Sequence, residues 1–179
     1  MKQGTMLVEP PPSPWNKGQL FSSASIEWGT PDDFFARLDE EFGGFGLDAC
    51  ASKENARCAK YIDRKQDSLS TEWTGGDSLM VWMNPPWGRQ IGLFLRRAYE
   101  QSQRHGLTVV CLIPASTDTV YWRDWVWKAE EVRLVTGRLY FVRDDGHTGP
   151  ATKGAAVVIY RPRWTLDRPS NVTLMAARP

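Results

Sequence analysis

Histidine is almost missing from this chain and cysteine is scarce: His105, His147, Cys50, Cys58 and Cys111 are all there are. No pair of them has the spacing of a zinc clamp or a dithiol redox site. Cys50 and Cys111 fall in apolar, strand-like segments and read as small core residues. A metal centre is therefore not expected. Long apolar runs are missing as well, and no signal-peptide pattern opens the chain, so a cytosolic protein without membrane segments is expected. A charge excess is also absent: 22 Lys and Arg against 21 Asp and Glu leave a formal net charge of +1. With no global field to steer a polyanion, any nucleic-acid surface has to be local. Arg96, Arg97, Arg104, Arg123, Lys128, Arg133 and Arg138 are candidates for such a patch.

What the chain does have is a globular composition and an unusual number of tryptophans. Its 179 residues, 41% of them hydrophobic, suit one domain with a real core. Of the nine tryptophans, Trp82, Trp87, Trp122, Trp125 and Trp127 lie in and after one central segment. The proline-rich stretch 1–24 reads as a flexible arm, 25–162 as the folded domain and 163–179 as a tail.

Within the domain, Thr30 and Pro31 read as the N-cap and first position of a helix, followed by the acidic pair Asp32 and Asp33. Phe34, Phe35, Leu38 and Phe42 recur at helical spacing, and Gly43-Gly44 stop the helix. Phe45 to Cys50 reads as a short strand. An irregular polar stretch follows, with a small strand at Tyr61-Ile62. Gly75-Gly76-Asp77 then turns into an apolar strand ending at Met83. Ile91, Phe94, Leu95 and Ala98 mark an amphipathic helix running to Gly106. Leu107 to Ile113 has the composition of a strand buried on both faces. Val120 to Ala129 reads as helical. Val132–Val135, Leu139–Val142 and Ala155–Tyr160 read as strands, the last two joined by a loop over 144–153. The expected architecture is α/β: a mostly parallel sheet with helices on both faces, closed by a terminal antiparallel hairpin. Ligands of such sheets sit outside the carboxyl ends of the strands. The loops after Cys50, Met83 and Ile113 should open there together.

The loop after Met83 is Asn84-Pro85-Pro86-Trp87. Each proline lacks an N–H and drives the residue before it towards an extended conformation. The outcome is a stiff loop offering an amide oxygen, a carbonyl and an aromatic face. Those are the groups needed to hold a planar, amino-bearing base. The plainer alternative is an ordinary strand-ending turn.

The motifs Trp28-Gly29-Thr30-Pro31, Leu47-Asp48-Ala49-Cys50-Ala51, Asn55-Ala56, Asp67-Ser68-Leu69, Asn84-Pro85-Pro86-Trp87, Leu112-Ile113-Pro114-Ala115 and Gly137-Arg138-Leu139 occur in one order. Together they resemble the small phage-type DNA N6-adenine methyltransferases over about residues 26–161. The resemblance implies a Rossmann-like methyltransferase fold, S-adenosylmethionine as cofactor and DNA as partner, with the target adenine flipped out of the duplex. Two features depart from the family pattern. Trp87 stands where many relatives carry tyrosine, and Asp48-Ala49-Cys50-Ala51 contains no glycine.

On this resemblance, Asn84 Oδ1 and the Pro85 carbonyl accept from the adenine amino group and localise its lone pair. Pro86 stiffens the loop, and Trp87 stacks on the base. Trp28, Thr30 and Pro31 would line the methionine end of the cofactor. Asp48, beside Ala49 and Cys50, would accept from its ammonium, with Asn55 on the ribose side and Asp67 at the ribose or adenine. Ser116, Thr117, Asp118 and Arg123 are candidates for holding the target nucleotide, and 122–127 and 144–153 for reading sequence. Each has a plainer reading: a turn-forming asparagine, a capping threonine, an exposed aspartate, a loop leading into a helix. Related loops also serve N4-cytosine, RNA adenine and release-factor glutamine methylation. A non-catalytic nucleic-acid-binding module is the remaining alternative.

Overall fold

A computed structural model gives the structure of the chain. It describes residues 28–74, 78–143, 148–162 and 171–177, with Trp28 and Arg143 described as backbone alone. The expected arm at 1–24 and the turn at 75–77 lie outside the described residues.

In chain order the elements are β1 (Trp28–Gly29), α1 (Asp32–Phe42), β2 (Leu47–Asp48), β3 (Met80–Met83), α2 (Ile91–His105), β4 (Thr108–Pro114) and α3 (Val120–Asp124). After a 3₁₀ turn at Val126–Lys128 come β5 (Glu131–Thr136), β6 (Tyr140–Arg143), β7 (Thr148–Pro150), β8 (Ala155–Tyr160) and β9 (Asn171–Ala176). A six-stranded sheet has the order β2-β3-β4-β8-β5-β9, and a three-stranded one the order β1-β6-β7. β2, β3 and β4 are parallel, β8 is antiparallel to both β4 and β5, and β9 is parallel to β5.

The large sheet forms the middle layer because its strands alternate between two apolar sides. Val81, Met83, Val109, Cys111 and Ile113 face α2, where Ile91, Phe94, Leu95 and Ala98 complete one cluster. Trp82, Val110, Leu112, Val157 and Ile159 cluster with Phe34 and Leu38 of α1 on the other side. Helices thus cover both faces. α1 ends at Gly43 and α2 at Gly106, both left-handed with φ 75° and 72°, a conformation glycine adopts without a Cβ penalty.

The expected strand at 107–113 is β4, buried along its whole length. The small strand at Tyr61-Ile62 is a single parallel bridge from Tyr61 to Asp48, extended by the Ile62 N–H donating to the Asp48 carbonyl at 2.9 Å. The helical stretch at 120–129 is present but divided between α3 and the 3₁₀ turn.

The expected antiparallel hairpin is present as β6 and β7, with β7 and not the strand at Ala155–Tyr160 as its second member. β6 pairs with β1 and β7, while β8 inserts between β4 and β5. All six residues of β8 are buried, which suits the centre of a sheet and not a half-exposed hairpin. The loop expected over 144–153 therefore contains β7, with 144–147 outside the described residues. Within the stretch read as a tail, Asn171–Ala176 forms the edge strand β9. Val172 and Leu174 stay exposed there, so the strand carries little of the alternation that marks burial.

Thr30 does not cap α1. Pro31 holds the N-cap position without any side-chain bond, and the helix begins at Asp32. The Thr30 hydroxyl is engaged elsewhere.

Candidate active site

Because β2, β3 and β4 are adjacent and parallel, their carboxyl ends share one edge of the sheet. The segments 49–52, 84–87 and 115–119 leave from that edge, as the sequence suggested.

In the central loop Pro85 is buried, Pro86 exposed, and Asn84 and Trp87 half-buried. Asn84 Nδ2 donates to Thr30 Oγ1 at 3.2 Å, joining positions 54 residues apart. No backbone N–H of the described residues outside helices and strands donates to the Pro85 carbonyl. Trp87 lies where the two apolar clusters meet and stands edge-on to Phe141 of β6, with 5.1 Å between ring centres and an 80° angle. Its indole Nε1 is buried without a hydrogen-bond partner. A buried N–H left unpaired is costly, roughly 1–3 kcal/mol, so the tryptophan is held there by packing.

At the end of β2, Asp48 is 2% exposed. Its Oδ1 accepts from the Cys50 N–H at 3.3 Å and its Oδ2 from the Arg57 N–H at 3.0 Å. Burial pushes its carboxyl up to about 6, against the pull of those backbone donors. Cys50 donates through Sγ to Ser68 Oγ at 3.6 Å, and burial raises its thiol well above the usual range. That cysteine is a packing group and not a nucleophile. Ala49 is fully buried and donates to the Trp82 carbonyl at 2.8 Å, tying β2 to β3. Asn55 Oδ1 accepts from the Ser52 N–H at 2.8 Å, while the buried Ser52 hydroxyl has no partner.

Sequence reasoning missed Arg57. Its guanidinium bonds the Asp32 carboxylate and the Thr30 carbonyl, while its own N–H serves Asp48. A Cβ on Gly29 would lie 3.3 Å from the Val142 carbonyl, with the Arg57 guanidinium at 3.8 Å and Asn55 at 3.9 Å, so the absent side chain lets these segments meet. A continuous chain of contacts runs Asn84, Thr30, Arg57, Asp48, Cys50, Ser68. The signal for Arg57 in the sequence is its place two positions after Asn55.

The other candidates are less tightly joined. Asp67 is exposed with φ 57°, and its carboxylate accepts from the Leu69 N–H at 3.1 Å and the Ser70 hydroxyl at 2.8 Å. It shapes the turn that delivers Ser68. Thr117 and Asp118 are exposed, and the Ser116 carbonyl accepts from the Thr119 hydroxyl at 2.7 Å. Arg123 is exposed and pairs with Asp124 at 2.6 Å. None of these bonds reaches Asn84 or Asp48. Of Trp28, the backbone pairs with Arg143.

The cations singled out in the sequence are mostly engaged within the chain. Arg96 pairs with Glu100, Arg97 and Arg104 with Glu72, and Arg133 with Glu41 and Glu131. Lys128 lies 4.1 Å from the Trp125 ring centre, and Arg138 donates to the Ala151 carbonyl at 2.9 Å. Lys53, Arg89 and Lys153 are exposed with no partner among the described residues. All of them flank the carboxyl edge: Lys53 follows β2, Arg89 follows Trp87, and Lys153 precedes Gly154, whose carbonyl accepts from Ala115 at 2.8 Å. Among the described residues, no group of three or more His, Cys, Asp or Glu gathers as a metal site. No described helix is long and apolar enough to cross a membrane.

An amide and an aromatic ring on a Pro-Pro loop, at the carboxyl edge of an α/β sheet and beside a buried carboxylate, define a candidate site for modifying an amino-bearing base. Comparison with known sequences is specific on this point: the profile of the DNA N-6-adenine-methyltransferase (Dam) family matches residues 18–176, and the chain belongs to that family. It is 31% identical over 153 residues to the DNA N-6-adenine-methyltransferase of Escherichia phage T1, covering 75% of this chain and 62% of that protein. It is also 31% identical over 142 residues to the enzyme of that name from Haemophilus phage HP1, covering 76% of this chain and 79% of that protein.

Proposed function

We propose that this chain, on a Rossmann-like methyltransferase fold, methylates the N6 amino group of adenine in DNA with S-adenosylmethionine as donor. The observation that carries the reading is the place of Asn84: at the carboxyl end of β3, one strand from Asp48, with Thr30 bonded to its amide nitrogen.

The donor set suits such a cofactor. Asp48 keeps lone pairs beyond those used by Cys50 and Arg57, and sits on the shared edge to accept from an ammonium. The unpartnered Ser52 hydroxyl and the half-buried Asn55 follow on the same loop, towards a ribose. Asp67 would act at the nucleoside end. The cofactor supplies an electrophilic methyl group on a sulfonium.

The chain's own residues position the nucleophile. An adenine amino nitrogen reacts poorly because its lone pair is delocalised into the ring. Asn84 Oδ1 and the Pro85 carbonyl each accept one of its hydrogens and draw the nitrogen towards tetrahedral geometry. Asn84 is uncharged and does not take up the departing proton, which leaves to water. Trp87, braced by Phe141, stacks on the base, a contact worth roughly 1–3 kcal/mol on aromatic platforms. A base inside a duplex reaches this loop only after flipping. Lys53, Arg89 and Lys153 supply positive charge for the strand that carries it.

The test is incubation with labelled S-adenosylmethionine and unmethylated DNA, followed by nucleoside mass spectrometry. N6-methyladenine is expected, and Asn84→Ala should lower its formation by on the order of 100-fold or more, as loss of a transition-state hydrogen-bonding group does. N4-methylcytosine would overturn the choice of base. Product formed on RNA alone would overturn the choice of DNA.

A further inference from the structure

We infer that Thr30 is a positioning residue for the methyl-transfer step: its hydroxyl accepts from Asn84 Nδ2 and thereby holds Asn84 Oδ1 towards the incoming amino group. The inference rests on the proposed role of Asn84 as acceptor.

An asparagine amide has nearly the same shape after a half-turn about its last bond, but its oxygen and nitrogen exchange places. In the wrong orientation it would present N–H to the N–H of adenine and oppose the reaction. The two hydrogens of the amino group select the orientation that offers them Oδ1, and Thr30 Oγ1, 3.2 Å from Nδ2, accepts on the other side and holds the amide plane in place.

Helix capping and solvent do not compete for this hydroxyl. It does not cap α1, whose N-cap is Pro31. Its residue is 2% exposed, so solvent does not compete for it. The backbone around it is fixed on both sides: Arg57 bonds the Thr30 carbonyl, and Gly29 pairs with Val142. A hydroxyl on a fixed backbone can hold a neighbouring amide in one orientation. One on a mobile loop would follow it.

A cofactor contact and a positioning contact differ in what they disturb. The experiment compares wild type, Thr30→Val and Thr30→Ser by S-adenosylmethionine affinity, by kcat with both substrates saturating, and by thermal melting. Thr30→Val keeps the shape and removes the acceptor. It should lower kcat about ten-fold, the scale of one buried hydrogen bond acting in the transition state, with cofactor affinity within about two-fold. Thr30→Ser keeps the hydroxyl and should retain most of kcat. An unchanged kcat in Thr30→Val overturns the inference, as does a loss confined to cofactor affinity. If Thr30→Val fails to fold, Thr30→Ala removes the same acceptor and takes its place, with the same expected fall in kcat and the same overturning results. Failure of the underlying reading is seen separately, in wild type that forms no N6-methyladenine.

Discussion

Asp48 and Glu72 are carboxylates near opposite ends of the same parallel strands. α2 carries the chain from the carboxyl end of β3 back to the start of β4, so its last turn, with Arg104 and His105, lies away from the candidate site. Glu72 gathers Arg97, Arg104, His105 and the Gln101 side chain there, at distances of 2.6 to 3.3 Å. The hydrogen bonds from Gln101 and His105, with the charge and hydrogen bond of Arg97, hold its carboxyl down at about 2. Asp48 has only backbone N–H donors, and burial holds its carboxyl up at about 6. Around Glu72 the carboxylate and its cations partner one another. At the other end, Asp48 is held by backbone N–H groups alone, and among the described residues a serine hydroxyl, an indole N–H and the cations Lys53, Arg89 and Lys153 have no partner. Incomplete pairing beside a strand edge is what a ligand-binding surface requires, because groups already paired have nothing left to offer.

The contrast can be broken most sharply at Asp48. Asp48→Asn removes the proposed partner of the cofactor ammonium, and calorimetry should show affinity falling by about ten-fold or more, as for a hydrogen bond to a charged group. The variant also tests the electrostatics. The folded state raises the Asp48 carboxyl from an ordinary 3.8 to about 6, so its stabilising effect is complete below the lower value and is lost as pH rises through the upper one. Urea melts across this window should show wild-type stability falling relative to Asp48→Asn, while wild-type cofactor affinity climbs as the carboxylate ionises. A stability difference that stays flat with pH would place Asp48 with Glu72.

Arg89→Ala is next in size. If Arg89 meets a phosphate, the plot of log DNA affinity against log salt should lose about one unit of slope, with cofactor binding unchanged. An unaltered slope would remove Arg89 from the DNA surface. The smallest effect belongs to Glu72→Gln. Glu72 adds stability above its ordinary value of 4.5 that is lost as pH falls through about 2, and its exposure lets solvent screen it. Thermal melts at neutral pH should show a small decrease that shrinks with added salt. Methyl transfer by this variant should match wild type; a large loss would mean that the two ends are coupled.

Legibility in the sequence followed locality. β4 and α2 were readable because burial imprints a continuous run on one and a helical period on the other. The Pro-Pro loop was readable because its stiffness comes from its own residues. Arg57 was not, since its partners Thr30 and Asp32 lie 27 and 25 positions away and its own stretch has no periodicity. Phe141 reads as an ordinary strand residue until β6 is seen beside Trp87. The second strand of the hairpin was misread for a related reason: it is β7, not β8. Adjacent strands in sequence suggest adjacent strands in space, but the uninterrupted apolar run Ala155–Tyr160 was better served between β4 and β5.

That placement of β8 also orders events on the ribosome. β4 and β5 do not pair with each other, so nothing bonds them until Tyr160 has been made. A nascent chain that has emerged as far as β5 carries the apolar edge of β4 bare, open to any other extended peptide. β8 therefore acts as a closing clasp. A chain interrupted shortly before it would hold Asn84, Asp48 and Thr30 in full, yet lack the seam on which their common edge depends.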